Sequence, residues 1–132
     1  MQTEAYTAQV LEAARNLVAA FSRTDTEAYF AAFSEDATFI FHTWPQPLFT
    51  RDAYREVWNG WVRDGLQILE CHSSDAHVSL QSDEVAVFSH AVETKVRIQG
   101  EESSSRERET IVFRRDQQGC WLATHEHLSP AP

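Results

Sequence analysis

Apolar residues recur at helical spacing through the first half of the chain. One stripe repeats with a period of about 3.6 residues and predicts a helix over residues 3–22. Its members are Val10, Ala14, Leu17, Val18 and Phe21. Thr24 and Glu27 have the spacing of a capping box, which predicts that a second, short helix begins there. Thr50 can cap a third helix, and Gly65 is a natural residue for this helix to end at.

From residue 66 onward the pattern changes to the two-residue alternation of β-strands. The alternation is clearest over residues 85–98, where the apolar face consists of Ala86, Phe88, His90, Val92, Thr94, Val96 and Ile98. Further strands are predicted over residues 37–42, 68–80, 109–115 and 121–128, with a loop at 100–105 and a hairpin turn at 116–119. This order predicts an α+β fold in which three N-terminal helices pack on one face of a curved, mainly antiparallel sheet. No linker or repeat interrupts the pattern, so residues 1–132 are predicted to form one domain.

The composition favours a soluble protein that binds neither nucleic acid nor membranes. Hydrophobic residues make up 42% of the 132 positions, which is ordinary for a globular domain. The 20 acidic and 11 basic residues give a net charge of −9, which repels phosphate groups. No segment is long and apolar enough to span a bilayer, and the N-terminus lacks a secretory signal, so a cytoplasmic location is expected.

His90 and Glu126 are the candidate catalytic residues. On the apolar face of its strand, His90 is either an acid–base or ligand-binding group or a core histidine whose nitrogens bond to the backbone. By alternation Glu126 shares a face with Leu122 and Leu128, and a buried carboxyl group must be paired or protonated. In the alternative phase of this strand Glu126 is solvated, and the inward residues are Trp121, Ala123, His125 and His127.

Large aromatic residues are the candidate ligand-binding groups. Trp44 and Tyr54 are interpreted as pocket or rim residues, because the indole N–H and the phenol hydroxyl need hydrogen-bond partners. Trp58 lies at helical spacing, and both a core and a pocket position stay open for it. Phe88 shares the apolar face of His90 and is also assigned to the pocket.

Three other features are interpreted as structural. The alternating charges of residues 106–109 are typical of a solvated strand face. His125 and His127 have the spacing of two metal ligands, but no other histidine lies at a matching distance along the chain. Cys71 and Cys120 lack the spacing of a zinc motif or a disulfide framework.

The end of the chain resembles a known superfamily. Trp121, His125, His127 and Ser129, together with residues 33–39 at the entry to the first strand, resemble the nuclear transport factor 2-like superfamily and within it the SnoaL-like group. The Trp-x₃-His-x-His-x-Ser ending is also similar to that of the calcium/calmodulin-dependent protein kinase II association domain. The resemblance implies a cone in which helices and a concave sheet enclose a pocket. It also implies a homodimer formed through the opposite face of the sheet.

The resemblance also carries expectations about individual positions. Association-domain relatives hold anions with arginines at the positions of His90, Thr110 and Leu128, so a strongly anionic ligand is not expected here. Thr110 is nevertheless implied to face the pocket. The functional groups of the ketosteroid isomerase branch correspond approximately to Leu17, Phe41 and Ile111, so its particular proton shuttle is not expected. Relatives carry the His-x-His pair without a metal, and no metal or cofactor is predicted.

The leading hypothesis is a protein that binds a small molecule in the cone. It would catalyse proton transfer, of the isomerase, dehydratase or cyclase type, on a small, neutral, largely apolar molecule. His90 and Glu126 would act as the acid–base pair, and the predicted pocket residues are Trp44, Tyr54, Trp58, Phe88 and Thr110. The alternative is a non-catalytic ligand-binding or protein-association module, because this fold hosts many unrelated functions.

Overall fold

Three helices cover the concave face of one five-stranded sheet in a computed structural model that describes residues 2–132. The helices are α1 (Gln2–Ser22), α2 (Thr26–Ala31) and α3 (Arg51–Arg63). The strands are β1 (Phe33–Phe41), β2 (Gln67–Leu80), β3 (Val85–Ile98), β4 (Glu101–Arg115) and β5 (Trp121–Pro130). The predicted α+β fold is confirmed.

The sheet has the strand order β1-β5-β4-β3-β2. Strands β2 to β5 form an antiparallel meander, and β1 pairs in parallel with β5 at the end of the sheet. None of the helices within residues 2–132 has the length and apolar character to cross a membrane.

The beginning of α2 differs from the predicted capping box. Asp25 caps the helix, and its side chain accepts a hydrogen bond from the backbone N–H of Ala28. Thr24 adopts a positive φ of 54°, and its hydroxyl accepts a bond of 3.0 Å from the N–H of Ile68. This hydroxyl therefore ties the end of α1 to β2 instead of capping α2.

The predicted loop at residues 100–105 is wrong, because β4 already begins at Glu101. The chain reverses over Gln99 and Gly100, whose φ angles of 51° and 80° suit a two-residue hairpin turn. The serines that read as loop residues instead pair with β3, from Ser103 opposite Val96 to Ser105 opposite Thr94.

An extra residue in β5 decides which of its side chains face inward. Phe113 of β4 pairs with Ala123, but Val112 pairs with His125, so Thr124 has no residue opposite it. This is a β-bulge, and it shifts the phase of the alternation. Each of the two phases considered for this strand is therefore correct for one half of it: Trp121 and Ala123 are buried, and so is Glu126.

The core beneath α2 and α3 is mainly aromatic. Its members are Tyr29, Phe30, Phe33, Phe39, Phe41, Tyr54 and Trp58. Trp58 is fully buried, and its indole N–H donates to Thr26 Oγ1 at 2.9 Å. These rings set the distance between the helices and the sheet.

Truncating Phe39 tests how much this aromatic packing contributes to stability. Its side chain is 0% exposed and its ring centroid lies 4.6 Å from that of Tyr54. Phe39→Ala should lower the free energy of unfolding by about 3–5 kcal/mol in urea titrations. The matched control is Phe49→Ala, at a phenylalanine that is 69% exposed, which should change stability by less than about 0.5 kcal/mol. Equal losses in the two variants would contradict this account of the core.

Candidate functional site

A cavity of about 350 Å³ lies between the helices and the concave face of the sheet. Most of its wall is apolar and comes from α1, β2 and β3, including Leu17, Phe21, Ile68, Val92 and Val96. Its volume falls within the range of small-molecule sites. This surface could therefore hold an apolar ligand of modest size.

Three glutamates supply the acidic part of the wall. Glu107 and Glu109 alternate on β4 with outward residues, so both point to the same face as Ile111. Glu126 of β5 pairs with Ile111 and so reaches the same part of the cavity. All three side chains are buried, and Glu126 is only 2% exposed. Three carboxyl groups therefore share one poorly solvated space.

The surroundings of Glu126 disfavour its ionised form. Burial raises its pKa well above the ordinary value of 4.5, and the negative charges of Glu109 and Glu107 raise it further. Its Oε2 atom is buried without a hydrogen-bond partner among residues 2–132. The side chain thus keeps its proton at higher pH than an exposed glutamate does.

His90 bonds to Glu109 and not to Glu126. The two residues are opposite each other on β3 and β4, and His90 Nε2 lies 2.7 Å from Glu109 Oε1. The other ring nitrogen, Nδ1, lies 2.5 Å from Ser73 Oγ. Both nitrogens of this fully buried ring are occupied by side chains, which fixes its orientation and that of the Glu109 carboxyl group.

A second histidine and glutamate pair adjoins the first. His42, at the end of β1, has its Nε2 atom 2.6 Å from Glu107 Oε2, and its side chain is partly exposed. Two of the three cavity carboxyl groups therefore have an imidazole partner. Glu126 has none.

Two tyrosine hydroxyl groups complete the polar part of the site. Tyr29 and Tyr54 line the cavity, and their hydroxyl oxygens are 2.9 Å apart. Burial and then the charge of Glu126 raise the pKa of both phenols well above the ordinary value of 10.0. Both stay protonated, and because only one can donate to the other, one hydroxyl hydrogen remains for another acceptor.

Several of the predicted site residues adjoin this cavity. Tyr54, Trp58 and Glu126 line it, and His90 lies behind Glu109. Phe88 packs against the His90 ring, with 4.7 Å between ring centroids, and belongs to the core. Trp44 packs edge-on against Trp61 at 6.1 Å, and neither Phe88 nor Trp44 lines the cavity, contrary to the prediction that both belong to the pocket.

The predicted inward position of Thr110 is wrong. Glu109 and Ile111 point into the cone, so Thr110 between them points to the opposite face of the sheet. There it borders a shallow depression together with Arg108 and His127. His125, also outside the cavity, has its Nδ1 atom 2.7 Å from Thr38 Oγ1.

Sequence reasoning missed Glu107, Glu109, His42 and Tyr29. Residues 106–109 were expected to be solvated, but Glu107 and Glu109 are buried. The signal was available: the alternation that buries Ile111 and Phe113 extends back to both glutamates. Because these glutamates alternate with arginines, the segment was interpreted as a solvated face and not as a continuation of the buried one.

No site for a metal ion is evident in the described part of the chain. Among residues 2–132, no three His, Cys, Asp or Glu side chains group in a way that could hold one. The paired imidazoles and carboxyl groups instead hydrogen-bond to one another.

Comparisons place this architecture among known proteins. The model of the SnoaL-like domain family matches residues 10–132. A ketosteroid isomerase-like protein from Erwinia carotovora atroseptica has a similar structure, with a TM-score of 0.84 and 20% identity over 96% of this chain and 97% of that chain. A scytalone dehydratase-like protein from Novosphingobium aromaticivorans gives a TM-score of 0.85 and 16% identity over 99% and 87% of the two chains.

A third similar structure is a calcium/calmodulin-dependent protein kinase II association domain-like protein from Xanthomonas campestris. It gives a TM-score of 0.77 and 17% identity over 93% of this chain and 86% of that chain. No curated protein matches the sequence. At these identities the similar structures establish a shared fold and leave the activity open.

The burial of Glu126 predicts a specific pH dependence of stability. Because its pKa is raised in the folded state, the unfolded chain loses this proton first, from about pH 4.5 upward. Wild-type stability therefore falls relative to Glu126→Gln as pH rises, by about 1.4 kcal/mol per pH unit until the folded-state pKa is reached. Urea titrations of both proteins between pH 4 and 9 measure this difference.

Glu101→Gln is the control for the loss of a negative charge. Glu101 is exposed on the same sheet, so the difference between this variant and the wild type should show little dependence on pH. A difference between Glu126→Gln and the wild type that stayed constant above pH 4.5 would contradict the raised pKa.

Proposed function

The chain belongs to the SnoaL-like domain family, and from this premise we propose that it binds a small, largely apolar molecule in the cavity and transfers protons on it. One observation carries the proposal. In the same apolar cavity, Glu126 is a buried acid with an unpartnered oxygen and a raised pKa, and Glu109 beside it is paired with His90.

Glu126 is the proton donor in this proposal. Desolvation and the neighbouring charges favour its neutral form, and a neutral carboxyl group can donate a hydrogen bond or give up its proton. Its Oε2 atom has no hydrogen-bond partner among the described residues, so a ligand can bond there without displacing any interaction that they make.

Glu109 is the proton acceptor. His90 Nε2, 2.7 Å from Glu109 Oε1, holds this carboxyl group in one orientation, in which its oxygens can accept a proton from a ligand in the cavity. Two carboxyl groups in different environments can divide the acid and base roles between them. His90 is then a positioning residue, which revises the expectation that it pairs with Glu126 directly.

The cavity wall also restricts the ligand. Among the described residues that line the cavity there is no lysine or arginine, and three of its polar groups are glutamates. An anionic ligand would be repelled, whereas the apolar wall favours an aromatic or alicyclic body. Two proteins of similar fold are named as isomerase-like and dehydratase-like, and reactions of both classes move protons.

A neutral aromatic probe can test both carboxyl groups. In 5-nitrobenzisoxazole, removal of the carbon-bound proton by a base breaks the N–O bond and releases a coloured phenolate. The protein should accelerate this ring opening, with Glu109 taking the carbon-bound proton and Glu126 giving its proton to the leaving oxygen; the phenol then leaves the cavity and ionises in water to the coloured phenolate. Glu109→Gln and Glu126→Gln should each lower kcat/KM by about tenfold or more.

Two matched variants locate the reaction. Val92→Trp fills the cavity and should abolish turnover, whereas Val87→Trp, on the outward side of the same strand, should not. Binding of the probe without ring opening would overturn the catalytic proposal and favour a ligand-binding module. Ring opening that survives Val92→Trp would overturn the cavity as its location.

We also propose that two copies associate through the outer face of the sheet. This face mixes apolar and charged groups: Ala91 lies on it, and Glu93 there pairs with Arg106 at 3.1 Å. A twofold axis would bring each patch against its own copy, so adjacent charges of both signs can pair across it. The shallow depression of about 490 Å³ near Ala91 and Thr110 belongs to the same face.

The mass in solution tests this association. Light scattering at micromolar concentration should give about twice the chain mass of 15.1 kDa. Ala91→Arg should shift the mass toward one chain, because it places a charge in the interface. Glu56→Arg, on the exposed side of α3, should leave the dimer intact. A wild-type mass of one chain would contradict the proposal.

A further inference from the structure

We propose that the natural ligand carries a basic nitrogen, which takes the proton of Glu126 and is held as a cation between Glu126 and Glu109. This inference rests on the proposed function, because it takes the same cavity as the ligand site. It adds the chemical class of the ligand: a weak base with an apolar, ring-shaped body.

The three cavity carboxyl groups differ in their hydrogen-bond partners. Glu107 and Glu109 each have an imidazole partner, from His42 and His90, but Glu126 has no partner for Oε2 among residues 2–132. A buried carboxyl group without a partner costs stability. A nitrogen base is a partner that would satisfy Glu126 and would also fit the acidic surroundings.

The carboxyl group of Glu109 beside Glu126 favours a ligand that becomes a cation on proton transfer over one that becomes an anion. When Glu126 gives its proton to a neutral nitrogen, an O–H bond breaks, an N–H bond forms, and a carboxylate–cation pair remains. No other reactant is required. The new cation then lies close to two carboxyl groups, because Glu109 and Glu126 line the same cavity from neighbouring strands, with Glu126 opposite Ile111, two residues along from Glu109. An oxygen atom that became negative at the same place would instead be repelled by Glu109.

Aromatic rings supply the rest of the environment. The cavity is lined by the rings of Phe21, Tyr29, Phe41, Tyr54, Trp58 and Trp61. The faces of such rings attract cations, and the attraction is strongest where water is excluded. A flat heteroaromatic or alicyclic base would find both an apolar wall for its body and charge stabilisation for its nitrogen.

Isoquinoline and naphthalene form a matched pair of probes, because they differ by one ring nitrogen in place of a C–H group. At pH 8 free isoquinoline is neutral, and its protonated form has a distinct ultraviolet absorption spectrum. Wild-type protein should bind isoquinoline about tenfold more tightly than naphthalene in equilibrium dialysis. The bound isoquinoline should have the spectrum of the cation.

Variants assign the effect to the buried acid. Glu126→Gln keeps the size of the side chain but cannot give up a proton, so the cation spectrum and the tenfold preference should both disappear. Naphthalene affinity should stay within about twofold. Glu101→Gln, an exposed glutamate on the same sheet, should retain the wild-type spectrum and preference.

The outcomes separate the two proposals. Equal binding of the two probes, or isoquinoline bound in its neutral form, would overturn the inference of a basic ligand while leaving the cavity as a ligand site. Binding of neither probe would overturn the ligand site itself, and the inference with it. A cation spectrum that persists in Glu126→Gln would overturn Glu126 as the proton donor.

Discussion

A carboxyl group removed from water must be paired or neutral, and this constraint governs the interior of the protein. Strand β4 carries two glutamates into the cone and β5 a third. His90 of the adjacent strand β3 bonds to Glu109, and His42, which directly follows β1 on the far side of β5, bonds to Glu107. The third has no such neighbour and is driven toward its neutral form. Which of the three carboxyl groups has an imidazole partner thus follows from the positions of His90 and His42 in the sheet.

The aromatic core makes this acidic space available. Rings from α2, α3 and β1 fill one end of the cone, from Phe30 and Phe33 to Trp58, and leave the other end open. Bulky rings that pack edge to face hold the helices away from the sheet, so the space over β3 and β4 does not collapse. The hydroxyl groups of Tyr29 and Tyr54 border both regions and connect the core to the site.

The fold was more predictable from the sequence than the site, for a physical reason. The period of the hydrophobic residues is a local property of the chain. Together with the order of the predicted elements, it identified the helices, the long strand around His90 and the antiparallel meander. The partner of His90 depends on the register between β3 and β4, which places Glu109 opposite it. That register was obscured because the serines before Glu107 resemble a loop, although they continue the strand. Alternating charges then suggested a solvated face where one side of the strand is buried.

The bulge at Thr124 shifts the alternation of inward and outward side chains along β5 by one residue. Before it, Trp121 and Ala123 close the core, and after it, Glu126 and Leu128 line the cavity. The first half of the strand is therefore part of the packed core, and the second half is part of the cavity wall. Substitutions can change the chemistry at Glu126 without altering the packing at Trp121. One extra residue in one strand thus allows the packed core and the cavity wall to be altered independently of each other.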